Sequence, residues 1–419
     1  MVWRRGHGIA LGASLVAAGV LSASIGAPSG AAEGGVGPTT LAGTGAPGFA
    51  GDGGPAAAAL LREPSGIAQD RMGDLFIADA GNCRVREVPA RGGETFGRTP
   101  RPGTIVTIAG GPCGRAHPPP TALATDGSGD VFMAHPSADR VTVMAARSGT
   151  VLGTAVTADR ATTVAGDGTA GFAGDGGPAA RAELDDPGGL ATDGSGDLFV
   201  ADTANCRVRM VAAASGVHEG VTVGAGDIAT VAGTGSCGSS GDGGPATAAQ
   251  VWDPGALATD AAGDLYVADQ GNRTVRVLAP QATVVLGTPV GAGDLATVAG
   301  EGSFGPYLVD GLAANGQTGE LNFPSGLALD RSGDLLVSDG ESHAIREVTN
   351  APGRFGGQSV PAGALVTVAG ATSTDVRHVT TTWRRARMVD PIGIAVTDSG
   401  SVVYADAGGD TVRQLEPGS

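Results

Sequence analysis

The feature that most constrains this chain is a repeat. Six times a Pro-x-(Gly/Ala)-(Leu/Ile)-Ala stretch leads into a Gly-Asp-Leu-hydrophobic stretch and then an Arg-Val-Arg-like stretch, and five of these units end in Thr-Val-Ala-Gly or a close variant. The opening prolines are Pro64, Pro120, Pro187, Pro254, Pro324 and Pro391, spaced 56 to 70 residues apart. A unit of this size cannot bury its own apolar faces and must stack on its neighbours, so the period implies a propeller or a solenoid. Six positions after each proline stands Asp70, Asp126, Asp193, Asp260 or Asp330; only the sixth unit departs, with Thr397.

Within each unit the apolar residues form runs of four or five, rich in Val, Ile and Leu and bounded by Gly, Asp and Pro. That is a strand-and-turn pattern, and no long helical period competes with it. The first unit predicts strands a (Gly66-Ile67-Ala68), b (Leu75 to Ala78), c (Arg84 to Val88) and d (Ile105 to Ala109), making one four-stranded antiparallel blade. Strand d ends in Ala-Gly in units one to five, from Ala109-Gly110 to Ala369-Gly370. Unit six stops after strand c at Leu415, and the missing strand stands at the other end of the chain as Thr39-Thr40-Leu41-Ala42-Gly43. An all-β, six-bladed β-propeller is therefore expected, with blade six built from residues 38–43 and 391–416. Closing the ring this way removes exposed sheet edges.

With Gly43-Thr44-Gly45, Gly51 to Ala56, Ala78-Asp79 and Asn82 to Arg86 in view, residues 36 to 416 resemble the NHL-repeat β-propellers. The bacterial secreted form, similar to the propeller region of teneurins, is nearest in motif. The resemblance implies a fold; members of the family range from interaction platforms to lyases, so it does not fix an activity.

Residues 1–32 read as a signal peptide: Arg4-Arg5, a small-residue apolar run from Ile9 to Ala27, and an Ala-rich cleavage region at Ala31-Ala32 before Glu33. The run is too short and too rich in Gly and Ala for a stable span, so no membrane span is expected after cleavage. A secreted protein, one propeller over residues 33–419 and monomeric, is the resulting expectation. The net charge is −16, and about −18 without the leader, which carries two arginines and no acid. Nucleic-acid partners are excluded, because phosphate neutralisation needs a basic surface.

Cys83 and Cys206 share one repeat position just before strand c, whereas Cys113 and Cys237 lie just after strand d. Strands c and d are antiparallel neighbours, so the pairs Cys83–Cys113 and Cys206–Cys237 are predicted, each within one blade. Two cysteines in each of two separated blades do not make a four-thiolate zinc set.

Gly-Asp-Gly-Gly-Pro-Ala recurs at Gly51 to Ala56, Gly174 to Ala179 and Gly241 to Ala246, in the loop entering a blade. Its glycines and Asp suit a tight ligand-free turn; Asp52, Asp175 and Asp242 are also candidate Ca²⁺ ligands, although one carboxylate per loop is a thin supply for an ion that takes six to eight oxygens. Asp79, Asp202, Asp269, Asp339 and Asp406 close strand b, and Arg86, Arg209, Arg276, Arg346 and Arg413 sit on strand c. Their recurrence predicts Asp–Arg pairing inside the blades rather than a site.

Irregular units are the better place to look for function. Unit two has His135 in place of that Asp and a His117-containing proline loop in place of Gly-Asp-Gly-Gly; unit five has His343 at the Cys83 position and His378 with Trp383, Arg384 and Arg385 in its outgoing loop. The b–c and d–a loops open on one face, which gathers these residues there. The inner a strands offer no His, Glu or Cys, and no nucleophile, phosphate-loop or paired-carboxylate motif appears elsewhere. The leading expectation is a module that binds a protein or cell-envelope glycan without a cofactor; the alternative is a metal-dependent lyase or hydrolase using Ca²⁺ or Zn²⁺ on the histidine-bearing face. The c–d loops, such as Arg91 to Gly103 and Ala351 to Gly363, read as flexible connections on the opposite face.

Overall fold

A computed structural model describes residues 38–302, 312–313, 319–355, 358–370 and 388–416. The leader, His378, Trp383, Arg384 and Arg385 lie outside them. Within them the chain forms six antiparallel blades, each with strands ordered a-b-c-d, and four two-stranded sheets. In blade 1 these strands are Pro64–Gln69, Leu75–Asp79, Arg84–Val88 and Val106–Gly110. Each a strand packs against the a strand of the next blade, and Pro391–Val396 of blade 6 returns to Pro64–Gln69 of blade 1, so the ring is closed.

The N-terminal strand supplies the closure. Thr39–Ala42 pairs antiparallel with Thr411–Leu415, joining Thr39 to Gln414, Thr40 to Arg413 and Ala42 to Val412. Blade 6 thus carries strand d from one end of the chain and strands a to c from the other.

Both faces of the blades are buried, which is why the strands read as continuous apolar runs rather than alternating ones. Successive residues serve different interfaces. Phe76 and Ala78 pack with Leu123, Val131 and Met133 of blade 2, while Leu75 and Ile77 pack with Val403 and Ala405 of blade 6. A one-residue bulge recurs in strand d opposite the strand-c arginine: Val85 pairs Ala109 and Arg86 pairs Thr107, leaving Ile108 between them, and Val231 and Val298 hold the same place in blades 3 and 4. These bulged residues are buried between blades. A bulge adds local twist, which suits neighbouring sheets arranged about an axis.

Around that axis side chains tie one a strand to the next. Thr125 Oγ1 donates to the Gln69 carbonyl at 2.9 Å, Thr192 to Thr125 at 2.7 Å, and Thr259 to Thr192 at 2.7 Å. At each a–b turn the Asp carboxylate folds its own loop; Asp70 accepts from the amides of Met72 and Asp74, both at 2.9 Å. Thr397 does this in the sixth unit, its hydroxyl accepting from the Ser401 amide at 3.0 Å.

The c–d connections differ from expectation. In blades 2 to 4 they are β-hairpins, at residues 149–156, 216–223 and 283–290, and in blade 5 Gly353–Phe355 pairs antiparallel with Gln358–Val360. In blades 2 and 4 the turn is Leu-Gly with both residues left-handed: Leu152 at φ 46° and Gly153 at 73°, Leu286 at 47° and Gly287 at 77°. Two consecutive positive φ values mark the hairpin turn whose twist matches its strands.

Candidate binding site

In blades 1, 3, 4 and 5 the loop entering the blade binds that blade's edge. Its Gly-Pro segment pairs with the start of strand d as a fifth strand in blades 3 and 4, Gly177 with Ile228 and Gly244 with Leu295. This covers an edge that would otherwise present open backbone groups. Gly51, Gly174 and Gly241 are required here: each has a left-handed φ, and an added Cβ would meet the backbone of Ala59, Ala182 or Ala249 within 2.8 Å.

The Asp of this loop reaches the strand-c arginine. Asp52 Oδ1 lies 2.7 Å from Arg86, and Asp175 Oδ1 lies 2.6 Å from Arg209. Asp242 pairs with Arg276 in the same way. A second carboxylate meets each guanidinium from the end of strand b: Asp79, Asp202 and Asp269, at 3.2, 3.2 and 3.4 Å. Two of the loop carboxylates use their other oxygen as well, Asp175 accepting from the Thr230 hydroxyl at 2.7 Å and Asp242 from the Thr297 amide at 3.1 Å. Asp52, Asp175 and Asp242 are thus each ion-paired with a strand-c arginine. The arginines are buried, and burial outweighs their attraction enough to push Asp202 and Asp269 up to about 6.

Blade 2 carries a neutral version of this joint. His135 replaces the Asp, Thr142 replaces the Arg, and the entering loop has no Asp. His135 Nδ1–H donates to the Pro118 carbonyl at 3.2 Å, which leaves Nε2 to accept from the Thr142 hydroxyl at 2.9 Å. Burial pushes its pKa down to about 4, so the ring is neutral and both nitrogens are engaged. His117 is half-buried and lines the same cleft of about 210 Å³. His343 is exposed on blade 5, outside this cleft, in the left-handed position that Cys83 holds in blade 1. No group of three or more His, Cys, Asp or Glu among the described residues could hold a metal ion.

A larger cleft, about 670 Å³, opens at blade 4 between Ser239, Trp252, Arg273, Thr274, Arg276 and Glu301. Comparison with blades 1 and 3 explains it. There the entering loop supplies Phe49 or Phe172, and strand c begins with Arg84 or Arg207, whose guanidinium lies 3.8 or 3.7 Å from the ring centroid. In blade 4 the ring position is Ser239 and the arginine position is Thr274. Both halves of the plug are gone together. Trp252 lies at the rim, its ring against Gly271, where an added Cβ would stand 2.4 Å from the indole; it is 47% exposed. Thr274 is 8% exposed, and its buried hydroxyl has no hydrogen-bond partner among the described residues. Ser, Thr and a lone Trp carry no sequence signature of a site; the cleft is marked by what the same repeat positions hold in blades 1 and 3.

Both cysteine pairs form as expected, Cys83–Cys113 with Cα atoms 5.2 Å apart and Cys206–Cys237 with 5.3 Å. Each ties the b–c turn to the loop leaving strand d on the face where the clefts open. No helix among the described residues is long and apolar enough to cross a membrane.

The NHL repeat family model matches residues 61–87 and 321–347. No curated protein sequence matches the chain. Among solved structures, a structural genomics protein of unknown function from Bacteroides thetaiotaomicron is similar with a TM-score of 0.57 at 17% identity, over 90% of this chain and 74% of that one. Auxiliary nutrient binding proteins from Bacteroides thetaiotaomicron (TM-score 0.53, 13% identity, 90% and 75% coverage) and Bacteroides ovatus (0.54, 12%, 91% and 76%) are similar too. The chain is thus a six-bladed β-propeller whose first and fifth units match the NHL repeat.

Proposed function

We propose that this propeller is a binding module of the extracellular or cell-envelope space, engaging a protein or glycan through the face that carries its b–c and d–a loops. The observation that carries the reading is the blade-4 cleft: a place that blades 1 and 3 fill with their own side chains is left open on that face, with a half-exposed tryptophan at its rim. A concave site with a few convergent polar groups and an aromatic wall suits binding. Disulfides on the same face fit an oxidising compartment and hold the loops in place before a partner arrives, which lowers the ordering cost of association. Ser65, Thr125, Thr192 and Thr259 on the inner strands spend their hydroxyls on neighbouring carbonyls, so they serve the ring.

The test is a two-face comparison of the exported protein binding to isolated cell-envelope material. Trp252→Ala and His343→Ala on the loop face are expected to weaken binding at least tenfold. Val217→Ser and Val284→Ser, on exposed hairpin residues of the opposite face, are expected to leave it unchanged. Loss confined to the hairpin variants would refute the assignment of the face.

A further inference from the structure

We propose that the blade-4 cleft receives an arginine side chain, with an adjacent aromatic residue, from a partner protein. This rests on the loop face being a binding surface and names what one part of it recognises.

The chemistry of the occupant is written into the other blades. In blades 1 and 3 the homologous space holds a phenylalanine from the entering loop and an arginine from the start of strand c, stacked together. The ring also lies over the buried strand-c arginine, 5.0 Å from Arg86 and 4.9 Å from Arg209. The outer guanidinium finds carbonyl acceptors: Arg84 donates to Asn82 at 2.7 Å, and Arg207 to Asn205 at 3.0 Å and Thr234 at 2.8 Å. The corresponding positions of blade 4 are Asn272 and Glu301, and both line the cleft. Blade 4 therefore keeps the backbone that receives a guanidinium while Ser239 and Thr274 withdraw the side chains that would occupy it.

Three further features favour a cation entering from outside. Glu301 replaces the neutral Thr234 at the rim and adds an exposed carboxylate. Trp252, half-exposed at the rim, is the aromatic side chain that attracts a guanidinium best. Arg276, deeper in the cleft and buried, is already matched by Asp242 and Asp269, so its charge is answered within the blade. The buried hydroxyl of Thr274, unpartnered among the described residues, can accept from a guanidinium N–H. The strongly acidic chain adds long-range attraction for a basic partner.

The test titrates the exported protein with a short capped peptide containing one phenylalanine and one arginine, and with the same peptide carrying citrulline, which keeps the shape and loses the charge. The arginine peptide is expected to bind at least tenfold more tightly. The double variant Ser239→Phe/Thr274→Arg recreates the plug of blades 1 and 3, so it is expected to keep the thermal midpoint and abolish peptide binding; Glu301→Gln, on an exposed side chain, is expected to weaken it severalfold. No arginine preference, or undiminished binding by both variants, overturns the proposal. So does a neutral oligosaccharide that binds the native protein and is excluded by the plug. If the plugged variant holds envelope material as tightly as the native protein while losing the peptide, the cleft recognises arginine but is not the partner contact, and the proposal falls while the loop-face reading stands.

Discussion

Glu87 gives the sharpest quantitative prediction. It lies on strand c of blade 1, fully buried, with one carboxyl oxygen unpartnered among the described residues and the other 3.3 Å from the Thr95 hydroxyl. Burial first, and then the negative Asp74, push its pKa from 4.5 up to about 7. The folded state therefore holds a proton over a pH range in which the unfolded chain has released it. The stability this confers is complete below about pH 4.5 and is lost as pH rises through about 7. The interval corresponds to about 3 kcal/mol. Glu87→Gln keeps the shape and neutrality at every pH, so it should match the native protein at pH 4 and exceed it by up to about 3 kcal/mol at pH 8. With a denaturant slope on the order of 3 kcal/mol/M or more for a chain of this size, the urea midpoint should rise by about 1 M or less at pH 8 and stay put at pH 4. A variant that loses stability at pH 8, or gains equally at both pH values, would refute the reasoning.

Glu219 and Glu347 are also pushed up to about 7 by burial and neighbouring aspartates, so the native protein should lose urea resistance between pH 5 and 8, with a shallower slope in the triple Gln variant. Arg209→Ala strands Asp175 and Asp202 beside each other and should cost about 3–5 kcal/mol, measured by urea unfolding at pH 7. Removing the Cys206–Cys237 bridge by paired Ser substitution opens a loop of 31 residues and should cost about 3–4 kcal/mol on the chain-entropy view.

The repeat made the architecture legible because each blade imposes the same spacing of proline, turn aspartate and apolar runs, and because the strand missing after Leu415 reappears at Thr39. The cysteines were legible for the same reason: once Cys83 and Cys206 share a position, sheet order places their partners. The c–d hairpins were not, since Leu152-Gly153 lacks the Asn-Gly or Asp-Gly that signals such a turn, and the left-handed Leu is imposed by the hairpin. The pairing of Asp52, Asp175 and Asp242 with strand-c arginines was not legible, because it depends on a loop that folds back over strand d. His135 looked like a site residue because it is chemically unusual; in the blade it is the neutral substitute for an ion pair, matched by Thr142. The blade-4 cleft arises from two ordinary residues, Ser239 and Thr274, whose meaning lies in what the same positions hold elsewhere.

The central claim is that partners dock on the loop face. Amide hydrogen exchange with and without saturating envelope material tests it most directly. The account predicts added protection in peptides containing Ser239, Trp252 and the 270–274 turn, with the hairpins at 216–223 and 283–290 unchanged. Protection confined to the hairpins would contradict it.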